Sequence, residues 1–308
     1  MNILITGGAG FIGSHIADAY LKQGHRVVIL DNLSSGKKEN IPQKAVFHEI
    51  DLLDPAVEKL VKDEGIEVIN HHAAQISVIN SVNDPLNDAN INILGTIKLL
   101  QYAVSSGVKK FIFASTGGAI YGLQDTFPAD ESHVCRPESP YAVSKFSAEN
   151  YINYHQITYG LNATVLRYSN VYGPRQDPHG EAGVVAIFCQ KLLKKSQPTI
   201  FGGGEQTRDF VAVMDVTQAN VQALNPSLTG IFNIGTGKET TVNELYKHLA
   251  EMAGNNISPV QGPARKGELQ RSVIAPGKFK KSTGWQPEVP LRQGLEKTFE
   301  FFANPVSK

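Results

Sequence analysis

Short apolar runs alternate with amphipathic stretches along the first half of the chain. Six of the runs are rich in β-branched or aromatic residues and have the length of strands, at 2–6, 26–30, 45–50, 67–70, 110–114 and 163–167. Because these runs are apolar on both faces, we expect helices to cover both sides of the sheet that they form. The pattern therefore predicts an α/β fold with a doubly wound parallel sheet.

Two long helices are predicted in this half. One begins at Asp84-Pro85, where the aspartate suits the N-cap and the proline suits the first turn, and it ends near Ser106 because Gly107 follows. The other begins near Pro140. Both lie between predicted strands, as the crossover helices of a parallel sheet do.

Glycine and proline interrupt the chain after Tyr172, notably at Gly173-Pro174 and across 202–204. We expect a smaller second lobe here, with helices at 242–252 and 291–302. A helix at 215–224 and a strand at 230–234 are expected to return to the first sheet. The predicted domains are therefore 1–172 with 213–237, and 173–212 with 238–308.

Composition and charge exclude several classes of protein. Lys and Arg total 29 of the 308 residues and Asp and Glu total 29, so the formal charge is zero, which argues against binding to nucleic acid or to an anionic membrane. Cys135 and Cys189 are far apart, so neither a disulfide scaffold nor a cysteine-based zinc site is expected. With no signal-peptide pattern and no apolar stretch of membrane-spanning length, we expect a soluble, cytoplasmic protein.

Three glycines follow the first predicted strand and precede a helix at 11–23. Gly7, Gly10 and Gly13 would let the backbone approach a pyrophosphate, and the helix N-terminus would offer its free N–H groups. Asp31, at the end of the second strand, can accept hydrogen bonds from the adenosine ribose and would repel a 2′-phosphate. The sequence thus predicts a Rossmann-type domain that binds NAD in preference to NADP.

Tyr141 has a lysine, Lys145, four residues later on a predicted helix, so the two side chains share one face. The helix follows the fifth strand, whose end carries Ser115 and Thr116, and ligands of doubly wound sheets lie beyond the carboxyl ends of strands. Lowering the pKa of a phenol from about 10 toward 7 requires about 4 kcal/mol, which a nearby ammonium and a positive nicotinamide ring can supply. We expect Tyr141 to be the base, with Thr116 ordering the substrate alcohol.

Five motifs together resemble those of the extended short-chain dehydrogenase/reductase family: GGAGFIG at 7–13, DNLSSG at 31–36, HHAA at 71–74, YAVSK at 141–145 and RYSNVYGPR at 167–175. Within that family, the chain most resembles the UDP-hexose 4-epimerases, over essentially its whole length. The resemblance implies reversible, NAD-dependent C4 epimerisation of UDP-glucose and UDP-galactose through a 4-keto intermediate. It also implies that the first domain binds NAD and the second binds the UDP-sugar.

The resemblance assigns site residues position by position. The catalytic residues would be Tyr141, Lys145 and Thr116. The NAD site would comprise Gly7, Gly10, Phe11, Ile12, Gly13, Asp31, Asn32, Ser35, Gly36, Asp51, Leu52, His72, Ala73, Ala74, Gln75, Asn92, Tyr141, Lys145 and Tyr168. The substrate site would comprise Thr116, Tyr141, Asn170, Gly183, Val184, Thr199, Phe201, Arg208, Arg265, Glu268 and Ser272, with the two arginines clamping the substrate pyrophosphate.

One departure from related enzymes bears on the reaction. Related nucleotide-sugar dehydratases and decarboxylases carry an acidic residue just after the active-site threonine, whereas Gly117 and Gly118 follow Thr116 here. This favours reversible oxidation without elimination. A dehydratase or net reductase is the alternative reading, and a non-catalytic NAD-binding module is the alternative of another class. The motif also leaves open whether Ser115 or Thr116 is the hydroxyl partner, and we choose Thr116.

Three further expectations concern substrate, metal and assembly. The resemblance places Ser272 where side-chain bulk limits the sugar pocket, so we expect some action on a UDP-N-acetylhexosamine. His71 and His72 leave a strand on opposite sides without a carboxylate at ligand spacing, so no metal site is expected. The resemblance also implies a homodimer in which the helices at 85–106 and 141–159 form a four-helix bundle.

Overall fold

The computed structural model describes residues 1–178, 183–255, 257–264 and 268–304. Within these ranges the strands are β1 (Asn2–Thr6), β2 (Arg26–Asp31), β3 (Val46–Glu49), β4 (Val68–His71), β5 (Lys110–Thr116), β6 (Ala163–Tyr168), β7 (Asn170–Tyr172), β8 (Thr199–Phe201), β9 (Thr207–Arg208), β10 (Phe210–Ala212), β11 (Gly230–Ile234), β12 (Thr240–Thr241), β13 (Val260–Gly262) and β14 (Arg271–Ser272).

The α-helices of the same ranges are α1 (Phe11–Lys22), α2 (Ala56–Asp63), α3 (Val78–Asn83), α4 (Pro85–Ala89), α5 (Gly95–Ser105), α6 (Gly117–Ile120), α7 (Pro140–Tyr159), α8 (Val184–Leu193), α9 (Val213–Ala223), α10 (Val242–Ala253), α11 (Gly277–Thr283) and α12 (Leu291–Ala303). Among the described helices, none combines the length and the apolar character needed to cross a bilayer.

The seven-stranded main sheet has the order β11-β6-β5-β4-β1-β2-β3, and every neighbouring pair in it is parallel. The strand order reverses between β1 and β4, which opens a crevice at their carboxyl ends. This is the Rossmann-type doubly wound sheet that the apolar runs predict, and the fold class is confirmed. The strand at 230–234 is the edge strand β11, as expected.

Two apolar layers cover the main sheet because successive side chains of each strand point to opposite faces. On β1, Ile3 and Ile5 pack with α1 and α9 on one side, whereas Leu4 packs with α2, α5 and α7 on the other. All three side chains are fully buried. Burial on both sides explains why the strands read as continuous apolar runs instead of alternating ones.

Helix α7 places the candidate catalytic pair in its first two turns. Ser139 caps the helix by accepting a hydrogen bond at Oγ from the Ala142 N–H (3.2 Å), and Pro140 occupies the first helical position. Gly160 ends the helix with a positive φ of 67°. This cap fixes where the helix begins, and therefore where Tyr141 lies relative to the sheet.

The helix predicted from Pro85 to about Ser106 forms as three consecutive segments. Asp84 caps it as predicted, accepting a hydrogen bond from the Asn87 N–H (3.0 Å). Between α4 and α5, however, residues Asn90–Leu94 form a π-helical turn. A π turn inserts one residue relative to an α-helix and rotates the following side chains, a change that pattern spacing does not reveal.

The second lobe is built on α8, α10 and α12, whose side chains form a separate core with Phe210 and Ile200. Helices α10 and α12 match the predicted helices, whereas α8 and α11 were not predicted. Helix α11 also packs differently from the predicted domain division, because Phe279 joins the core of the first lobe and contacts Phe232 of β11 with ring centroids 5.5 Å apart. The division into two domains stays a prediction.

Candidate active site

A cleft of about 570 Å³ lies at the carboxyl ends of the main-sheet strands. Its wall includes eighteen of the predicted site residues: Gly7, Gly10, Phe11, Ile12, Gly13, Asp31, Asn32, Ser35, Asp51, Leu52, His72, Ala73, Ala74, Gln75, Tyr141, Lys145, Tyr168 and Gly183. Residues from seven segments of the chain thus share one cavity, at the point where the strand order reverses.

The glycine turn leaves the space that a dinucleotide pyrophosphate requires. A Cβ on Gly7, whose φ is +70°, would come 2.7 Å from the Ala73 backbone nitrogen, and one on Gly13 would come 2.4 Å from the Gly7 carbonyl oxygen. No side chain of the described residues caps the N-terminus of α1. The first N–H groups of α1 are therefore available to a phosphate, and the turn fits NAD.

Asp31 lies at the end of β2 and is only 7% exposed. Its carboxylate accepts hydrogen bonds from the N–H groups of Ala9 (3.0 Å) and Leu33 (2.9 Å). Gly36 does not line the cleft itself, but a Cβ there would come 2.7 Å from Asp31 Oδ1, so the glycine admits the carboxylate. Nearby, Asn32 Nδ2 donates to Asp51 Oδ2 (2.7 Å) and joins two predicted adenosine-side residues.

Helix α7 and the end of β5 bring the predicted catalytic groups together. The Lys145 ammonium donates to the Ala114 carbonyl oxygen (3.0 Å) and lies 4.8 Å from the ring centroid of Phe113. The Thr116 hydroxyl lies close enough to the Tyr141 phenol to lower its pKa. Ser115 lines the cleft, but its hydroxyl donates to Glu149 Oε1 (2.5 Å). The two neighbouring hydroxyls therefore differ in their surroundings, because that of Ser115 is engaged by Glu149.

Burial opposes charge on both members of the tyrosine–lysine pair. It raises the pKa of Tyr141, the charge of Asp88 raises it further, and the hydrogen bond from Thr116 lowers it. Burial lowers the pKa of Lys145 to about 8, while Asp88 and Glu149 act in the opposite direction. In the chain alone, Tyr141 is therefore a neutral phenol at pH 7 and Lys145 is mostly an ammonium.

A chain of buried hydrogen bonds fixes the protonation of His72. Asn220 Nδ2 donates to the Val216 carbonyl and to the Tyr168 hydroxyl (both 2.8 Å), so the Tyr168 proton is left for His72 Nε2, 3.1 Å away. Burial, followed by the Lys145 charge, lowers the pKa of His72 to about 3. The neutral ring must then carry its proton on Nδ1, which has no partner among the described residues. A buried donor left open at the cleft is a further feature that fits a bound polar ligand.

His71 points away from His72 and is fully engaged inside the protein. Its Nδ1 lies 2.7 Å from Thr6 Oγ1 and its Nε2 lies 3.0 Å from Thr96 Oγ1. Burial lowers the pKa of His71 well below its usual range. Over the ranges that the structure describes, no group of three or more His, Cys, Asp or Glu side chains is arranged to hold a metal ion.

Asn92, which the family resemblance places in the NAD site, holds a segment that lines the cleft. It lies in the π-helical turn and is 2% exposed, and its amide accepts from the Gln75 N–H (3.0 Å) and donates to the Gln75 carbonyl (2.9 Å). Asn92 therefore lies behind the Gln75 segment, and its contact with NAD stays a prediction.

The predicted sugar-site residues lie on short elements next to the catalytic end of the cleft. Ser272 of β14 pairs with Arg208 of β9, and the Ser272 hydroxyl donates to the Gly118 carbonyl (3.4 Å), just beyond Thr116. A Cβ on Gly118 would lie 3.3 Å from Asn170 Oδ1, an oxygen without a partner among the described residues. These contacts bring Ser272, Asn170 and the loop after Thr116 together.

The remaining predicted substrate residues lie on other elements. Arg208 lies 3.6 Å from Glu268 and donates to the carbonyls of Thr207 and Leu269 (both 2.8 Å). Thr199 and Phe201 share one face of β8 beside Gly262, and Val184 begins α8. The predicted partner of Arg208 in the pyrophosphate clamp, Arg265, lies outside the described residues, so the clamp stays a prediction.

Sequence reasoning missed a buried ion pair beneath the catalytic residues. Arg167 Nε and Nη2 donate to Glu149 (3.0 and 2.6 Å), and both side chains are at most 3% exposed. Arg167 also donates to the Tyr121 hydroxyl (2.9 Å). Arg167 lies within one of the five motifs, but nothing in the spacing of the sequence joins it to Glu149.

We predict that Gly13→Ala weakens dinucleotide binding, because a Cβ there would come 2.4 Å from the Gly7 carbonyl oxygen and displace the turn. Overpacking of this kind usually costs about 1–3 kcal/mol of folding stability. The measurement is calorimetric titration of the purified protein with NAD. Gly277→Ala is the matched control, because nothing lies within 4 Å of a Cβ at that position. Unchanged affinity in Gly13→Ala would contradict the assignment of the turn.

Comparison of the sequence with known proteins agrees with the NAD site that the geometry indicates. The sequence profile of the NAD dependent epimerase/dehydratase family matches residues 3–235. A UDP-glucose 4-epimerase of Mycolicibacterium smegmatis is 45% identical over 310 residues, which is 99% of each chain.

Two solved structures extend this similarity to three dimensions. The UDP-glucose 4-epimerase of Thermotoga maritima, solved with UDP-glucose, superposes over all of both chains with a TM-score of 0.96 and 48% identity. The UDP-N-acetylglucosamine 4-epimerase of Methanobrevibacter ruminantium, solved with UDP-N-acetylmuramic acid, covers 99% of each chain with a TM-score of 0.94 and 35% identity. The chain therefore belongs to the NAD dependent epimerase/dehydratase family.

Proposed function

We propose that this protein is an isomerase that interconverts UDP-glucose and UDP-galactose by NAD-dependent epimerisation at C4. The observation that carries the proposal is the meeting of Tyr141, Lys145 and Thr116 at the end of the cleft that holds the glycine turn. Full-length similarity to UDP-glucose 4-epimerases supports the same reaction.

Tyr141 is the proposed base for the C4 hydroxyl of the sugar. Bound NAD supplies a reversible two-electron acceptor for C4 and, when oxidised, a positively charged ring. Lys145 is fixed by the Ala114 carbonyl within one helical turn of Tyr141, where its charge favours the phenolate. The hydroxyl of Thr116 lies close enough to the phenol to lower its pKa, so it is placed to orient the sugar alcohol toward Tyr141. Once the 4-keto sugar has turned its other face to the cofactor, return of the hydride to that face would invert C4, and Tyr141 would return its proton to the C4 oxygen.

Local packing argues against the alternative, a dehydratase. Elimination of water requires an acid next to the threonine, and a Cβ on Gly117 would come 2.6 Å from Ile274 Cδ1 and 3.2 Å from the Arg167 carbonyl oxygen. A larger side chain at this position would displace the end of the Ile274 side chain and crowd the carboxyl end of β6. The loop after Thr116 therefore suits reversible oxidation without elimination.

The substrate class follows from the residues around Gly118. Ser272 is small and lies against the loop after Thr116, so it leaves room beside the sugar. We propose that the pocket also admits the N-acetyl group of a UDP-N-acetylhexosamine, and the similarity to a UDP-N-acetylglucosamine 4-epimerase supports this. Arg208 and Arg265 are the proposed clamp on the diphosphate, and Glu268 is proposed to bind another part of the nucleotide sugar.

Assembly as a homodimer is also part of the proposal. Large apolar side chains are exposed on two adjacent helical segments, with Leu86 and Leu94 on one and Tyr154 and Ile157 on α7. Exposed apolar faces of this kind mark protein interfaces, and two copies of such a helix pair can form a four-helix bundle. We further propose a reducing compartment such as the cytoplasm, which suits the free thiols of Cys135 and Cys189.

We predict that Tyr141→Phe lowers the interconversion of UDP-glucose and UDP-galactose by about a hundredfold or more, since general-base catalysis is lost while the ring remains. The assay follows each product chromatographically, without added reductant. Recovery of a reduced or dehydrated sugar would contradict epimerisation.

Thr116→Ala should lower kcat more than Ser115→Ala does, because the Ser115 hydroxyl is engaged by Glu149.

Ser272→Tyr is expected to lower activity on UDP-N-acetylglucosamine relative to UDP-glucose. The larger side chain would fill the space next to Gly118 that the acetyl group requires. The measurement is the ratio of kcat/KM for the two sugars in the variant and in the parent protein. An unchanged ratio would contradict the proposed role of Ser272.

Ile157→Glu should convert a dimer into a monomer, because it places a charge on the apolar face of α7. Sedimentation velocity at several concentrations measures the change. Leu123→Glu, on an exposed loop outside both helical segments, is the matched control. A dimer that persists in Ile157→Glu would contradict the proposed interface.

A further inference from the structure

Asp88 is a fully buried carboxylate that the reaction described above does not use. It lies on the short helix α4 and accepts three hydrogen bonds from side chains. Oδ1 accepts from Gln75 Nε2 (2.9 Å) and Asn92 Nδ2 (3.0 Å), and Oδ2 accepts from Ser144 Oγ (2.5 Å). Burying a charge is costly, so a carboxylate at this depth calls for a physical explanation.

Each donor connects Asp88 to a part of the cleft. Gln75 lines the cleft, and Asn92 holds the backbone of Gln75 from behind. Ser144 lies on α7, directly before Lys145 and three residues after Tyr141. Asp88 thus ties one wall of the cleft to the helix that carries the catalytic pair.

Asp88 is also the carboxylate near the catalytic pair whose charge is not balanced by an ion pair. Glu149, one turn beyond Lys145, accepts hydrogen bonds from Nε and Nη2 of Arg167. Across the described ranges, no lysine or arginine lies within ion-pair distance of Asp88, and its three hydrogen-bond donors are all neutral. The negative charge of Asp88 therefore acts electrostatically on the neighbouring ionisable groups of α7.

The other ionisable groups considered on the described elements packed against α7 are either neutral or engaged by other partners. His71 and His72 at the end of β4 are neutral because burial lowers the pKa of each. On β6, Arg167 is paired with Glu149, and burial raises the pKa of Tyr168 so that it stays neutral. Two lysines are bound elsewhere, Lys98 of α5 to the Leu53 carbonyl (3.0 Å) and Lys110 of β5 to Asn162 Oδ1 (2.7 Å).

We propose that Asp88 is a positioning residue. Its buried negative charge keeps Lys145 protonated and makes deprotonation of Tyr141 less favourable, and its hydrogen bonds hold the Gln75 segment against α7. The inference rests on the proposed function, because it takes Tyr141 as the base. In agreement with the geometry, the charge of Asp88 raises the pKa of both Tyr141 and Lys145.

Asp88→Asn tests the charge separately from the hydrogen bonds. The amide has the same shape, its Oδ1 can still accept from Gln75 and Asn92, and its Nδ2 can donate to the Ser144 hydroxyl, which also accepts. Removing a negative charge favours the deprotonated forms of both neighbours. The acid limb of the pH profile of kcat/KM for the NAD-loaded enzyme should therefore move to lower pH by about one unit.

Ser144→Ala is the matched control, because it removes one hydrogen bond and keeps the charge. Its midpoint on the pH axis should stay at or above that of the parent protein. A second readout needs no turnover: ultraviolet titration of the phenolate, in which Tyr141→Phe in the same background subtracts the other tyrosines. The Tyr141 titration should also move to lower pH in Asp88→Asn.

An Asp88→Asn protein that is slower at every pH, with the midpoint and the phenolate titration unmoved, would overturn the proposal and leave a merely structural role. Should that variant fail to fold, Asp88→Ser carries the same test, because it removes the charge and leaves space for water to meet the three donors. The ultraviolet titration distinguishes the two proposals. A shifted Tyr141 titration without epimerase activity supports the role of Asp88 and rejects the proposed function.

Discussion

The reversal of strand order between β1 and β4 is the constraint on which the site depends. Because the connections leave these two strands in opposite directions, their carboxyl ends are not covered by a crossover and a crevice opens there. The backbones must also approach closely at this point, since a Cβ on Gly7 would come 2.7 Å from the Ala73 nitrogen. Glycine at Gly7 follows from this approach, and the helix that starts after the turn then directs its free N–H groups into the crevice.

Much of this arrangement can be predicted from the sequence because its signals are local. The glycine turn, Asp31 and the Tyr141–Lys145 pair each depend on residues a few positions apart beside a strand or at the start of a helix. The π turn at Asn90–Leu94, the pairing of Arg167 with Glu149 and the packing of α11 on the first lobe could not be predicted in this way. Each depends on contacts between distant segments, or on one inserted residue that re-aims a side chain.

The buried charges under the cleft explain why the distant contacts matter. Breaking a buried ion pair by removing one partner costs about 3–5 kcal/mol, so Arg167 and Glu149 must be retained together. Because Glu149 also accepts from the Ser115 hydroxyl, the pair holds the end of β5 and leaves the Thr116 hydroxyl near Tyr141. Packing beneath the strand thus favours Thr116 in the choice that the motif leaves open.

The chain by itself keeps both members of the proposed catalytic pair protonated. Burial raises the pKa of Tyr141 and lowers that of Lys145 to about 8, and Asp88 opposes loss of a proton from either group. A site with this balance does not ionise its phenol at pH 7 unless positive charge enters the cleft from outside the chain. Activation of the proposed base, Tyr141, therefore depends on the positive charge of the cofactor that the glycine turn and Asp31 would hold. Cofactor binding and acid–base catalysis are in this sense one property of the same buried, polar crevice.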